Sequence, residues 1–500
     1  MENSSAKMLT ISAQNFCQPV APDRSDRSAA FPPLQRARFG ECGAISTYSL
    51  AGSSKRHKCR ALWLALIACL LPFIASADLW CSAYYPGWEQ GVMPASDIDF
   101  TTVSHVIHFA LIPNADGSLD SSANSITPSN SADLVSRAHA AHRKVLICVG
   151  GANTSFQGAT TSTNLPTFIN NLTNFMSARG YDGIDVDWEP LDASDAGQYT
   201  NFVNGLRAAL DVITPRPLLT APVASPPTPA SLLASIQAQY DQINLMTYDL
   251  SGPYAGWVTW FNSPIYDGGY RFPSTGGLVP SIDGMVSNLL AGGVAPGKLG
   301  VGIPFYGYIW SGGSGMSTGG ASQPRQSWTT APTVTTPDYN SIISTYYQSN
   351  LYHWDLSAQA AYLSIDNSGS SNDKFISFDD ARACQSKVSY ARNRHLGGVM
   401  IWELAQDHQP GQPDPLLQAI KQALASPGVA SLLPAGPDMN LSFLSMPLAS
   451  YRVEWTSNIS GGLWNTLTIT NTAGTGGVLR VTDPGAVSQP RRYYRVKTPP

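Results

Sequence analysis

From residue 79 onward, compact apolar runs alternate with stretches in which apolar positions fall three and four residues apart. The runs are LWCSAYYP (79–86), VSHVIHFALI (103–112), KVLICVGG (144–151), YDGIDVDWE (181–189), PLLTAPVA (217–224), YDQINLMTYD (240–249), KLGVGIPFYG (298–307) and LGGVMIWE (396–403). They are rich in β-branched and aromatic residues and are bounded by Gly, Pro, Asn and Asp, as buried strands are. Between them, SADLVSRAHAAH (131–142) and PTFINNLTNFMSARG (166–180) carry the helical period. Eight strands with helical crossovers over about 350 residues predict an α/β fold, a (β/α)8 TIM barrel. A doubly wound open sheet competes with it, but no Gly-rich phosphate loop follows an early strand.

The rhythm lapses between Gly307 and Phe375. There SGGSGMSTGGASQPRQS (311–327) has the composition of a loop and YNSIISTYYQ (339–348) that of a short helix, so the segment reads as a short insertion after strand seven. A last helix is expected over Pro415–Ala425, followed by SPGVASLLPAGPD (426–438), which reads as linker. The final sixty residues alternate in period two, as in YRVEW (451–455) and RYYRV (492–496), and predict a small all-β module. The expected organisation is residues 1–77 upstream extension and signal, 78–425 barrel, 426–440 linker and 441–500 β module. Trp455 or Trp464 would serve that module if it binds sugar; a passive or sorting appendage is the plainer reading.

KRHKCR (55–60) precedes the apolar ALWLALIACLLPFIA (61–75) and then ASA (75–77), the layout of a secretory signal peptide over about 55–77. The run is shorter than the ~20 residues of a membrane span, so export and no stable membrane insertion are expected. Residues 78–500 carry 21 Lys+Arg against 30 Asp+Glu. That balance disfavours nucleic acid and suits a neutral substrate. Only Cys81, Cys148 and Cys384 remain in this part, too few for a disulfide framework. No Cys/His spacing suggests a metal site, no cofactor is expected, and a monomer is the simplest state.

The fourth strand is the anomaly. YDGIDVDWEP (181–190) sets Asp182, Asp185, Asp187 and Glu189 among Ile184, Val186 and Trp188, in a chain only 13% charged. Residues two apart share a face of a strand. Asp185, Asp187 and Glu189 therefore point together into the barrel, with Glu189 at the carboxyl end, where the active sites of such barrels lie. Asp182 is out of phase and belongs to the start of the strand. Two carboxylates ~4 Å apart repel by about 4 kcal/mol at an effective dielectric near 20, roughly three pKa units. The expectation is that Asp185 and Asp187 share a proton and that Glu189 is held as an acid near neutrality.

DGIDVDWE resembles the DxxDxDxE signature of the family 18 glycoside hydrolases, the chitinase family. The family's other landmarks occur in order: YYPGW on the first strand, CVGG (148–151, with Gly150 and Gly151) where the family has SxGG, QINLMTYD on the sixth, GIPFYG on the seventh and GGVMIWELAQD on the eighth. The resemblance spans about 79–409. It implies a secreted chitinase acting on chitin or chitooligosaccharides by a retaining, substrate-assisted route. Glu189 would protonate the glycosidic oxygen while the substrate's own acetamido oxygen attacks the anomeric carbon, giving an oxazolinium ion. Asp187 would hold the acetamido N–H, and Tyr248 would donate to its oxygen. Tyr84, Phe109, Met246, Asp249 and Trp402 would line the same subsite, with Trp402 as its floor. Trp257, Trp260 and Trp310 are further cleft candidates from their loop positions.

Three departures from the family pattern stand out. Cys148 replaces the serine of SxGG, and a thiol is the weaker donor. Tyr308 stands where many members have Arg. The insertion looks short beside the α+β insertion of processive members, which points to endo-action. The alternatives are an endo-β-N-acetylglucosaminidase on N-glycans or a chitin-binding lectin on the same barrel.

Overall fold

The computed structural model describes residues 79–497 apart from 225, 368, 370–371, 426–428, 446–449, 459–462, 472–476 and 490. The expected signal segment lies outside the described residues. Strands run β1 Trp80–Pro86, β2 His105–Pro113, β3 Leu119–Asp120, β4 Lys144–Ala152, β5 Gly183–Glu189, β6 Leu218–Val223, β7 Gln242–Leu245 and β8 Leu299–Pro304. They continue with β9 Tyr308–Ser311, β10 Thr333–Thr335, β11 Tyr352–Asp355, β12 Ala360–Ile365, β13 Lys374–Phe378 and β14 Gly398–Trp402. The order β1-β14-β8-β7-β6-β5-β4-β2, with β2 pairing back to β1, closes an eight-stranded parallel barrel. All eight strands fall on the eight apolar runs of the sequence.

Local chemistry explains where the crossover helices begin and end. Helix Pro128–Ala140 starts with proline at its first turn, and the Thr127 hydroxyl accepts from Asn130 N at 3.1 Å. Helix Leu165–Arg179 stops at Gly180 in the left-handed conformation (φ 75°). Helices Ile282–Ala291 and Ala381–Asn393 are capped by Ser281 and Asp380. The expected last helix, Pro415–Ala425, is present.

The strand period sorts the core into two parts. Ile184, Val186 and Trp188 face outward into the layer between sheet and helices, where Trp188 stacks on Phe156 with centroids 4.7 Å apart. The inward positions join a separate cluster of Tyr84, Phe109, Cys148, Tyr248 and Met400 at the carboxyl end of the barrel. At the opposite end the barrel is filled by a polar set in which Ser82 donates to Gln242 and Trp80 to Asn244.

The segment after β8 is more ordered than its composition suggested. It is a five-stranded antiparallel sheet, β10-β9-β13-β12-β11, with helix Tyr339–Tyr346 packing Ile342 onto Ile309, Leu363, Ile376 and Phe378. Strands of three to six residues separated by Gly-rich loops carry little periodic signal. Two expectations for this region are corrected: Trp260 and Trp310 are 0% exposed and belong to the core joining the insertion to the barrel. Their bulk closes an interface; it does not extend a cleft. Trp257 is only partly buried at the edge of that cluster.

Beyond the barrel, two three-stranded antiparallel sheets form, one of Val429–Ala435, Asp438–Ser445 and Gly477–Asp483, the other of Asn465–Asn471, Ser450–Thr456 and Tyr493–Lys497. The stretch expected to be linker therefore carries a strand. Pro434 fits there because the strand is an edge, where a missing N–H breaks no ladder bond. Arg492 lies 4.0 Å from the Trp455 ring centroid and Arg495 4.0 Å from that of Trp464. One face of each indole is thus covered by a guanidinium rather than open to a sugar.

Asp182 sits at the start of β5, away from the inward acids. It accepts from Lys144 Nζ (2.7 Å), His139 Nε2 (2.9 Å) and the Val145 N–H (2.9 Å), and these donors lower its pKa against the opposing effect of burial. A lowered carboxylate pKa contributes stability above the unfolded value and loses it as pH falls through the folded one. Asp182→Asn is expected to cost about 1–2 kcal/mol near neutrality, with the difference from wild type shrinking below about pH 4 and turnover unchanged. Denaturant titrations at several pH values check this.

Candidate active site

Parallel register assembles the site. Cys148, Asp185 and Thr220 are in register across β4, β5 and β6, and Gly150 is beside Asp187. The row beside Asp185 is a set of donors: Thr220 Oγ1 at 2.5 Å to Oδ1, Tyr84 Oη at 2.8 Å to Oδ2, and the Cys148 thiol. Burial alone would push Asp185 high. These hydrogen bonds hold it back, to about 6.

Asp187, one step nearer the carboxyl end, is almost fully buried, and its Oδ1 has no partner among the described residues. Burial, together with the charges of Glu189 and Asp185, pushes it well above the usual carboxylate range. It hydrogen-bonds to Glu189, whose pKa is also raised, chiefly by burial. Asp185 has three donors and Asp187 has none of its own, so Asp187 is the harder of the two to ionise. Glu189 is the member of the row that is not fully buried.

The glycines of CVGG make this spacing possible. At Gly150 (φ 122°) a Cβ would lie 2.0 Å from the Asp187 carbonyl oxygen, a clash no relaxation of a side chain could relieve. At Gly151 (φ 105°) a Cβ would meet the Phe109 ring at 3.2 Å.

Aromatic rings form the surrounding wall. Trp402 at the end of β14 has its centroid 4.9 Å from Phe109 and 5.2 Å from Tyr84, and Met246 packs against the same cluster. Among the described residues the Tyr248 hydroxyl has only a weak partner, the Met400 sulfur at 3.8 Å. Burial and the nearby acids push its hydroxyl up, so it remains a protonated donor. Asp249, held at φ 57°, accepts from Tyr306 and Tyr308, both at 2.7 Å to Oδ1. Tyr308 is thus a neutral donor to this carboxylate.

Every inward residue expected from the sequence is drawn into this one region, and Asp182 alone is not. Thr220, Met400 and Tyr306 were missed. Thr220 could have been found from its inward phase on PLLTAPVA, but only with the register known. Tyr306 was visible within PFYG without a role.

A row of buried acids ending at the carboxyl rim of a barrel strand, walled by aromatic rings, is the kind of site that cleaves glycosidic bonds by proton transfer. The chain belongs to the glycosyl hydrolases family 18, whose model matches residues 81–407. It is 31% identical over 329 residues to chitinase A1 of Niallia circulans, covering 59% of this chain and 45% of that one, so it spans less than half the relative's length. It is 27% identical to endochitinase 1 of Metarhizium robertsii, over 62% of this chain and 69% of the other. The group IV chitinase of Ostrinia furnacalis, solved in complex with allosamidin, shares the fold at a TM-score of 0.60 and 22% identity, over 70% of this chain and 99% of that one.

Cys148 and Cys81 are free and buried, and burial beside Asp185 pushes the Cys148 thiol well up, so it is inert as a nucleophile. Its effect is on its neighbour. Cys148→Ser supplies a stronger donor to Asp185 and is expected to move the acid limb of the pH dependence of kcat/KM down by about half a unit or more, leaving the basic limb in place. A pH–rate profile of the two proteins on one chitooligosaccharide checks it; an unmoved acid limb would show that the thiol does not tune Asp185.

Proposed function

We propose that this protein is a secreted chitinase that hydrolyses β-1,4-linked N-acetylglucosamine polymers with retention, through the substrate's own acetamido group. The observation that carries the reading is the row of Asp185, Asp187 and Glu189 ending at the barrel's carboxyl rim, with burial holding Asp187 and Glu189 above the usual carboxylate range beside an Asp185 already supplied with donors.

Glu189, partly open at the rim, delivers its proton to the glycosidic oxygen as the bond to the anomeric carbon breaks. The acetamido carbonyl oxygen attacks that carbon from the opposite face and the oxazolinium ion forms. Tyr248, whose hydroxyl has no strong internal partner, donates to that oxygen and aims it. Asp187 turns to the acetamido N–H. Asp187, which enters the cycle with a proton of its own, passes it toward Asp185, and the ionised Asp187 balances the positive ring. A water deprotonated by Glu189 then opens the oxazolinium ring from the face the leaving group vacated, restoring the acid. Trp402 supports the apolar face of the sugar.

The names of the two curated relatives support chitin as substrate, and endochitinase 1 supports internal cleavage. KRHKCR followed by the apolar run supports export. The acids also predict the pH response. Loss of the Glu189 proton, with a pKa raised to about 7, removes the acid at high pH, and protonation of Asp185, at about 6, removes the acceptor at low pH. A bell is expected, with Asp185→Asn losing its acid limb.

The direct test is product analysis on chitin tetra- and hexasaccharides with anomer detection. Wild type is expected to release β-anomers, cutting the hexasaccharide internally, and Glu189→Gln to lose at least about 10³-fold in kcat. Binding without cleavage by both proteins would make the chain a lectin. Release of a free glycan from a glycoprotein, with no action on chitin, would make it an N-glycan endoglycosidase.

A further inference from the structure

The Tyr248–Asp249 corner follows β7, a strand of only four residues, and leaves the barrel ladder at once. Besides Met246 N to the Val223 carbonyl and Thr247 Oγ1 to the Gly302 carbonyl, its backbone is held by residues 262 and 263. Ser263 Oγ donates to the Thr247 carbonyl oxygen at 2.5 Å, Asn262 Oδ1 accepts from Asp249 N at 2.8 Å, and Leu250 N donates to the Asn262 carbonyl at 3.0 Å. Residues 262 and 263 thus grip both sides of Tyr248.

That grip is itself tied to the insertion. Asn262 N donates to Ser377 Oγ of β13 at 2.9 Å. Lys387 Nζ donates to Ser263 Oγ at 2.5 Å and also pairs with Asp379, the residue at which the insertion chain leaves β13. Lys387 is 0% and Asp379 5% exposed. An ion pair so buried is weak evidence for stability, since apolar residues of like volume often do as well. Ser263 has one hydroxyl proton, and it goes to Thr247. The hydroxyl can accept only from a donor on its other side, and Lys387 is that donor.

We infer that Lys387, through Ser263, is a positioning device for Tyr248, and that the insertion sheet fixes the catalytic tyrosine in place by way of Asp379 and Ser377. This rests on the reading that Tyr248 aims the substrate's acetamido oxygen. The strut acts on the attack step and not on the binding of the sugar rings, which the wall of Trp402, Tyr84 and Phe109 provides. It also gives the insertion a part in turnover that does not depend on contact between its own side chains and the substrate.

The variant that isolates the strut is Ser263→Ala, which frees the Thr247 carbonyl but leaves Lys387 paired with Asp379. Wild type, Ser263→Ala, Tyr248→Phe and the double variant are compared by kcat, KM and Tm on a chitooligosaccharide. Ser263→Ala is expected to lower kcat about tenfold, well inside the loss that misplacement by an ångström produces, with KM changed less than about twofold and Tm by only a few degrees. The double variant is expected to be no slower than Tyr248→Phe, because a misplaced hydroxyl cannot be lost twice. Losses that multiply in the double variant, or a lower Tm with kcat intact, overturn the inference while leaving the role of Tyr248 standing. If Tyr248→Phe keeps full kcat, the reading of Tyr248 fails and the strut's purpose with it. Lys387→Met with Asp379→Asn, which removes the ion pair without stranding a charge, is expected to reproduce the kcat loss of Ser263→Ala; normal turnover in that variant would overturn the part assigned to Lys387.

Discussion

Three acids in register on one face of one strand cannot all be ionised once a barrel closes around them. Desolvation raises each pKa, and the charges of Glu189 and Asp185 raise that of Asp187 further. The arrangement is stable only if the donors are distributed unequally, and the neighbouring strands do this. Asp185 receives Thr220, Tyr84 and Cys148, whereas the position in register with Asp187 on β4 is Gly150, which offers no side chain. The deeper acid is thereby the easier to ionise and the middle one the harder.

Much else follows from keeping the gradient. Gly150 is required both for the close approach of β4 to the Asp187 backbone and for the absence of a donor there. The tyrosines around the site, Tyr84, Tyr248, Tyr306 and Tyr308, all have raised pKa values and so remain donors over the working range. Tyr306 and Tyr308 fix Asp249 as neutral donors, and Asp249 in turn raises the pKa of Glu189.

The eight barrel strands and the acid row were legible because both are written in strong local periods: buried β-branched runs, and charge at every second position. Those signals depend only on the neighbours of each residue along the chain. Thr220, Met400 and Tyr306 were not legible for the opposite reason, since their significance lies in which strand stands beside which. The insertion escaped because its strands of three to six residues are too short for a period to register. Trp260 and Trp310 misled because a loop position suggests exposure, whereas two packed units must seal their junction with something large and apolar. Val429–Ala435 was read as linker since proline and small residues carry the same composition in an edge strand as in a tether.

The insertion and the acid row also divide the catalytic task along a physical line. Proton placement needs fixed relative energies among groups on adjoining strands, and the barrel's hydrogen-bonded ladder supplies that rigidity directly. Orientation of the attacking oxygen needs a hydroxyl outside the ladder, at a corner with positive φ where the backbone has left the sheet. Thr247 Oγ1 ties that corner to the Gly302 carbonyl of β8, and further bonds lead through Asn262 and Ser263 to the insertion. A barrel of this kind could lose its insertion and keep the proton gradient. On the proposed role of Tyr248, what it would lose is the aim of that hydroxyl, whose corner the buried lysine at the junction reaches through Ser263.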